Sequence, residues 1–152
     1  MSESALAKKM KLKPGAYAAV LNAPAGYLKD LKPLPAKAQV VEKLDPSAQF
    51  DWIQLFVKTR AEMESQIRQA VGALKPESII WICFPKGTSK IQTDLTRDKG
   101  WDILKTIELK WVNLISVNDT WSGFALRPYK PGEPKQDFRQ AVIHIHKDCH
   151  EQ

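Results

Sequence analysis

Cysteine is scarce in this chain. Only Cys83 and Cys149 are present, and two distant thiols supply no disulfide framework. A reducing, cytoplasmic setting is the expectation. Histidine is confined to positions 144, 146 and 150, so the loops considered below are poor in both residue types. No apolar run approaches the roughly 20 residues that span a bilayer; the longest, residues 79–85, has the length of a strand. The opening residues MSESALAKKM lack the apolar stretch of a secretory signal, and no membrane partner is expected. There is no internal repeat.

What is present fits a globular protein. A chain of 152 residues suits one core, and 43% hydrophobic with 26% charged residues argues against wholesale disorder. The net charge of +6 is uneven. Residues 1–43 hold eight lysines against Glu3, Asp30 and Glu42, residues 44–124 are neutral, and the tail adds +1. A basic front end attracts nucleic acid or another polyanion. The competing reading is a solvated lysine face, since no base-stacking aromatics are interleaved with those lysines.

Hydrophobic pattern and turn residues divide the chain into short elements. Ala16–Asn22 reads as a buried strand and Tyr27–Leu31 as a short helical piece ended by Pro33 and Pro35. Ala38–Leu44 reads as a second strand, and Phe50–Val57, rich in aromatic and β-branched residues, as a third. Thr59 and Glu62 form a capping box, followed by a helix with Met63, Ile67, Ala70, Val71 and Leu74 on one stripe. Ser78–Phe84 has the continuous apolar character of a strand buried on both faces. A second helix is expected from Thr96, with Trp101, Leu104 and Ile107 inward. Trp111–Val117 and Trp121–Leu126, joined by three residues, demand an antiparallel hairpin. Pro128–Pro134 reads as a linker, and Gln140–His146 as a further strand or a frayed tail.

This order predicts an α/β fold of three layers, a mainly parallel sheet with a C-terminal antiparallel hairpin. About five residues separate the second and third strands, too few for a helical crossover, so the second strand is either short or not parallel. Residues 1–128 form the domain and 129–152 a C-terminal extension.

Ligands of open α/β sheets sit beyond the carboxyl ends of the parallel strands. The loops gathered there offer Asn22, Lys58, Arg60, Lys86, Ser89, Lys90, Thr93, Asp94, Asp119 and Trp121 as candidate ligand-binding residues. The segment KGTSK at 86–90 lacks the glycine spacing and the immediate helix of a nucleotide P-loop; it is either an anion-binding loop or a plain surface loop. Asp94 and Asp119 are the carboxylates placed for acid–base work, or else for ordering their own turns. Trp121 either stacks on a planar ligand or packs at its strand start, and Cys83 reads as a buried, inert thiol. In the tail, His144, His146, Cys149 and His150 form a candidate metal set suited to Zn, Ni or Cu. A chain-end extension without a metal is the alternative.

Residues Phe50-Asp51, the run Leu74-Lys75-Pro76-Glu77 and the hairpin around Asp119 make residues 16–127 resemble a truncated, Rossmann-like class I S-adenosylmethionine-dependent methyltransferase. In that fold a glycine-rich loop after the first strand receives the methyl donor. Here the segment is Leu21-Asn-Ala-Pro-Ala-Gly-Tyr27, with one glycine and a proline that removes a donor. The acid that grips the ribose in that family has a counterpart in Glu42. The pattern Leu12-Lys-Pro-Gly15, Leu21-Asn-Ala-Pro24, Phe84-Pro-Lys86, Thr93-Asp-Leu-Thr96 and Asp119-Thr-Trp-Ser122 is also similar to an uncharacterised family of small bacterial proteins, a domain of unknown function. That likeness implies a fold and a bacterial, cytoplasmic origin, and no reaction.

The leading expectation is a non-catalytic domain, without a cofactor, that binds a small anionic ligand or a protein partner at the carboxyl edge. A divergent methyltransferase or other transferase is the alternative, and nucleic-acid binding through the basic N-terminal region a further one.

Overall fold

The computed structural model of the chain describes residues 4–134 except 46, 88, 90, 92, 96–100, 106 and 108, with the side chains at 77, 102 and 105 also set aside. Among these residues lie helices α1 (Ala5–Lys9), α2 (Tyr27–Leu31) and α3 (Arg60–Gly72). The strands are β1 (Tyr17–Leu21), β2 (Gln39–Val41), β3 (Phe50–Phe56), β4 (Leu74–Pro85), β5 (Leu109–Ser116) and β6 (Trp121–Pro128), with a 3₁₀ turn at Asp102–Lys105. They form one sheet in the order β2-β1-β3-β4-β6-β5. The first four strands run parallel, and β6 lies antiparallel between β4 and β5.

The question raised by the second strand has a geometric answer. β2 is parallel to β1 but only three residues long, from Gln39 to Val41. It ends near the level at which it starts, and the described residues between Val41 and Phe50 return to β3 without a helix.

Alternation along the strands sorts side chains to two sheet faces. Ile53, Leu55 and Val57 from β3 and its end, with Ile80, Ile82 and Phe84 from β4, face α3 and the 3₁₀ turn. Trp52 and Phe56, with Trp81 and Cys83, face α1 and α2. The result is the three-layer arrangement expected. Within the first layer Phe84, Trp101, Trp111 and Phe124 pack edge-to-face or stacked, with ring centroids 4.7–5.9 Å apart.

Three expectations need correction. Leu74 is not on the helix stripe; α3 ends at Gly72 and Leu74 opens β4 opposite Phe50. The helix expected after Thr96 is, in its described part, the four-residue 3₁₀ turn, although Trp101 and Leu104 do point into the core. The N-terminal segment, given no element from sequence, forms α1, capped by the Ser4 hydroxyl accepting from the Ala7 amide at 3.0 Å.

The stretch read as a linker is tied to the hairpin. Glu133 accepts two bonds from Arg127, at 3.0 and 2.7 Å, and one from Lys110 at 2.7 Å. These cations hold its carboxyl well below the usual carboxylate range. No helix among the described residues is long and apolar enough to cross a membrane.

Candidate functional site

Chain direction selects the place. From β1 the connection runs to β2 on one side, while β3 and β4 follow on the other. The switch point is the crevice between the carboxyl ends of β1 and β3, where open α/β sheets bind ligands. β1 ends at Leu21, and Asn22 turns the chain with φ 60°. Gly26, at φ 81°, precedes α2 in the left-handed region that favours glycine. Between them the amides of Ala23, Ala25 and Gly26 donate to no described group, while Tyr27 N–H returns to the Pro24 carbonyl at 3.0 Å. Pro24 contributes no donor.

Asn22 spans the crevice. Its amide nitrogen donates to the Phe56 carbonyl at 3.2 Å and to Gln66 Oε1 on α3 at 2.8 Å. On the β3 side Lys58 is exposed, and its amide donates to Glu62 Oε1 at 3.2 Å. The capping box forms as expected at Thr59, whose hydroxyl accepts from Glu62 N–H at 3.1 Å. Glu62 reaches past it to Lys58, one residue earlier than the box pattern places it. Glu42, directly after β2, is exposed at the same edge.

Asp94 belongs to this group in an unexpected way. Its carboxylate accepts the Arg60 amide at 2.6 Å, so it caps α3 from a distant loop. Arg60 itself pairs with Glu64 at 3.1 Å. Both side chains act on the helix start. Thr93, beside Asp94, accepts the Leu95 amide at 3.0 Å and shapes its own loop.

The remaining candidates gather around the β5–β6 turn. Lys86 donates through Nζ to Ser116 Oγ at 2.5 Å and through its amide to the Thr120 carbonyl at 2.8 Å. Ser89 donates through its hydroxyl and its amide to the Lys86 carbonyl, at 2.7 and 2.9 Å. Lys86 and Ser89 are thus bonded to each other. Asn118, rather than Asp119, orders the hairpin by accepting the amides of Thr120 and Trp121, both at 2.9 Å. Asp119 is exposed at the turn. Trp121 is 4% exposed and packs edge-on against Phe56 at 5.0 Å, which leaves no open ring face for a ligand. Lys90 and the metal candidates His144, His146, Cys149 and His150 lie outside the described residues. Among the described residues no group of three His, Cys, Asp or Glu side chains could hold a metal.

Behind the edge, β3 and β4 carry a buried polar cluster. Gln54, fully buried, accepts from Tyr27 Oη at 2.8 Å and donates to Cys83 Sγ at 3.2 Å. Burial pushes the Cys83 thiol up to about 12, which makes it inert at neutral pH, as expected from sequence. Burial and the neighbouring Cys83 also raise Tyr27. The Met10 carbonyl accepts two indole N–H groups, from Trp52 at 2.8 Å and Trp81 at 2.9 Å. Sequence reasoning did not reach Gln66 or Met10. Gln66 reads as one of several exposed polar positions on α3, and a main-chain carbonyl leaves no mark in a sequence.

The strand order and the antiparallel β6 define the fold as a truncated class I methyltransferase-like α/β sheet. Solved methyltransferase structures superpose on it. A structure titled as a DhpI–SAH complex matches with TM-score 0.57 at 10% identity, over 82% of each chain. The ribosomal protein L11 methylase of Lactobacillus delbrueckii subsp. bulgaricus matches with TM-score 0.57 at 15% identity, over 82% of this chain and 75% of that one. A SAM-dependent methyltransferase from Aquifex aeolicus gives TM-score 0.52 at 13% identity, over 78% and 85%. No family model and no curated protein matches the chain, so the likeness to small bacterial proteins stands on its sequence pattern alone.

Proposed function

We propose that the chain is a divergent S-adenosylmethionine-dependent methyltransferase that binds the donor at the β1–β3 switch point. The observation that carries this reading is the loop after β1. It is held by left-handed backbone at Asn22 and Gly26 and presents three amides that donate to no described group. Such a loop suits an anionic or hydroxyl-bearing ligand. Glu42 after β2 offers a carboxylate for ribose hydroxyls, and Lys58 after β3 offers a cation for the donor's carboxylate. The solved structures of similar fold named above include a ribosomal protein L11 methylase and a SAM-dependent methyltransferase. That supports transferase chemistry over the non-catalytic role expected from the missing glycines.

The bound donor supplies an electrophilic methyl group, whose transfer requires alignment more than proton movement. This chain's contribution is positional. Asn22, fixed by the Phe56 carbonyl and Gln66, holds the ends of β1 and β3 together, and Asp94 is already engaged at the α3 amide.

Calorimetric titration of the whole chain with S-adenosylmethionine and with its demethylated product tests this. Binding of the product, weakened tenfold or more by Glu42→Ala and by Lys58→Ala, is expected. No binding of either compound at millimolar concentration overturns the reading.

A further inference from the structure

The two helical layers differ sharply in charge. The segment from Ser4 to Ala38, which contains α1, β1 and α2, carries Lys8, Lys9, Lys11, Lys13, Lys29, Lys32 and Lys37 against Asp30 alone. All seven lysines are exposed. On the opposite face α3 balances Arg60 and Arg68 against Glu62 and Glu64.

The chain binds this basic layer into one surface. The Ser4 hydroxyl donates to the Leu31 carbonyl at 2.6 Å, and the Ser4 amide to the Pro33 carbonyl at 2.7 Å, which joins the start of α1 to the end of α2. The Gly15 amide reaches the Ala36 carbonyl at 2.8 Å, which brings the Lys13 and Lys37 turns together. Of the described lysines elsewhere, Lys75 is engaged with Asp51, Lys86 with Ser116 and Lys110 with Glu133, while Lys43, Lys58 and Lys130 stand singly on other parts of the chain. Within the layer Lys9 bonds the Ser116 carbonyl at 2.7 Å, whereas Lys8, Lys11, Lys13, Lys29, Lys32 and Lys37 have no partner among the described residues. Six unneutralised ammonium groups on one layer repel one another and favour a polyanion.

The chemistry of the layer selects which polyanion. Helices α1 and α2 turn Leu6, Ala7, Met10, Tyr27, Leu28 and Leu31 toward the sheet, so no apolar face remains to enter a lipid surface. Tyr27 is buried and Tyr17 is stacked on Phe50 at 4.6 Å, so no ring stands ready to stack an unpaired base. Each helix has five residues and the layer holds no arginine, which gives no reading head for base edges. Its one serine or threonine hydroxyl, Ser4, is engaged in capping and in the Leu31 bond, and the Tyr27 hydroxyl is bonded to Gln54, leaving little to recognise a ribose 2′-OH. Point charges at surface spacing are what a phosphodiester double helix requires. We infer that the α1–α2 layer docks on the backbone of duplex DNA without reading its sequence. This rests on the charge layout alone and is independent of the donor site.

Fluorescence anisotropy with a labelled 20-base-pair duplex of arbitrary sequence tests it, on the whole chain. With about four phosphate contacts, affinity should fall roughly 100-fold between 50 and 200 mM salt. The triple variant Lys8→Gln, Lys11→Gln, Lys29→Gln should weaken binding at least tenfold and flatten the salt dependence. Arg68→Gln on α3 should change binding less than twofold. Unchanged thermal midpoints confirm that all variants are folded. Binding that is indifferent to the triple variant, equal on single-stranded DNA, or tenfold tighter on duplex RNA overturns the proposal.

Discussion

At the scale of single residues, the most constrained position is Gln54. It is the one fully buried polar side chain among the described residues, and its two ends are engaged by Tyr27 and Cys83. A buried polar group left without its partner loses more than the bond itself, because its desolvation is no longer offset. Gln54→Leu should therefore destabilise the chain by about 2 kcal/mol in urea unfolding. Adding Tyr27→Phe to Gln54→Leu should recover part of that loss, since the second change removes the orphaned hydroxyl. Strictly additive losses would show that the pair does not act as a unit. Gly123 is constrained by space instead. A Cβ there would stand 3.3 Å from both Cys83 Sγ and Val117 Cγ2, so any larger residue needs those two side chains to give by a few tenths of an ångström.

At the scale of elements, α3 is held at its start by two side chains from different parts of the sequence. Thr59 caps the Glu62 amide locally, and Asp94 caps the Arg60 amide from a loop 34 residues on. Thr59→Ala and Asp94→Ala should each lower stability by about 1 kcal/mol, seen as a shift in the unfolding midpoint at constant slope. The first of these caps was legible in the sequence and the second was not, because a cap supplied across space has no fixed spacing. The same distinction runs through the fold. Strands β1, β3, β4 and the β5–β6 hairpin were visible as apolar runs between turn residues, and α2 and α3 as short periodic stretches. α1 escaped notice because five residues carry too little periodicity, although Ser4 ahead of Leu6, Ala7 and Met10 was its signal. Within β5 a bulge between Trp111 and Asn113 breaks the alternation, so that Leu114 rather than Asn113 joins Trp111 on the α3 face. At the candidate site, the sequence reading placed Asn22, Lys58 and Asp94 at one sheet edge, and the structure brings them to the ends of β1 and β3 and the start of α3. Sequence could not separate side chains that meet a ligand from those, such as Lys86, Ser89 and Trp121, that are engaged by their neighbours.

At the scale of the whole molecule, two carboxylates join segments distant in sequence or at the domain's margin. Asp51 accepts the Tyr17 amide at 2.8 Å and pairs with Lys75 at 3.0 Å, holding the starts of β1 and β4 to β3. The Tyr17 amide bond, with Lys75, lowers its pKa below the ordinary carboxylate value, as Arg127 and Lys110 do for Glu133. A carboxylate with a lowered folded-state value contributes its full stability above its unfolded value, about pH 4, and loses it as pH falls through the folded value. Thermal midpoints should therefore hold steady from neutrality to about pH 5 and drop below pH 4. Asp51→Asn and Glu133→Gln should each lower the neutral midpoint and flatten that acid limb; an unaltered limb in both would place the acid sensitivity elsewhere. The Met10 carbonyl has a consequence in time. Its two indole partners lie 42 and 71 residues further along the chain. During synthesis α1 leaves the ribosome long before Trp81 exists to receive it, so the face it covers closes only after β4 has emerged. This helix, made before the strands it covers, is thus locked in place late, and until then its lysines stand open to any polyanion nearby.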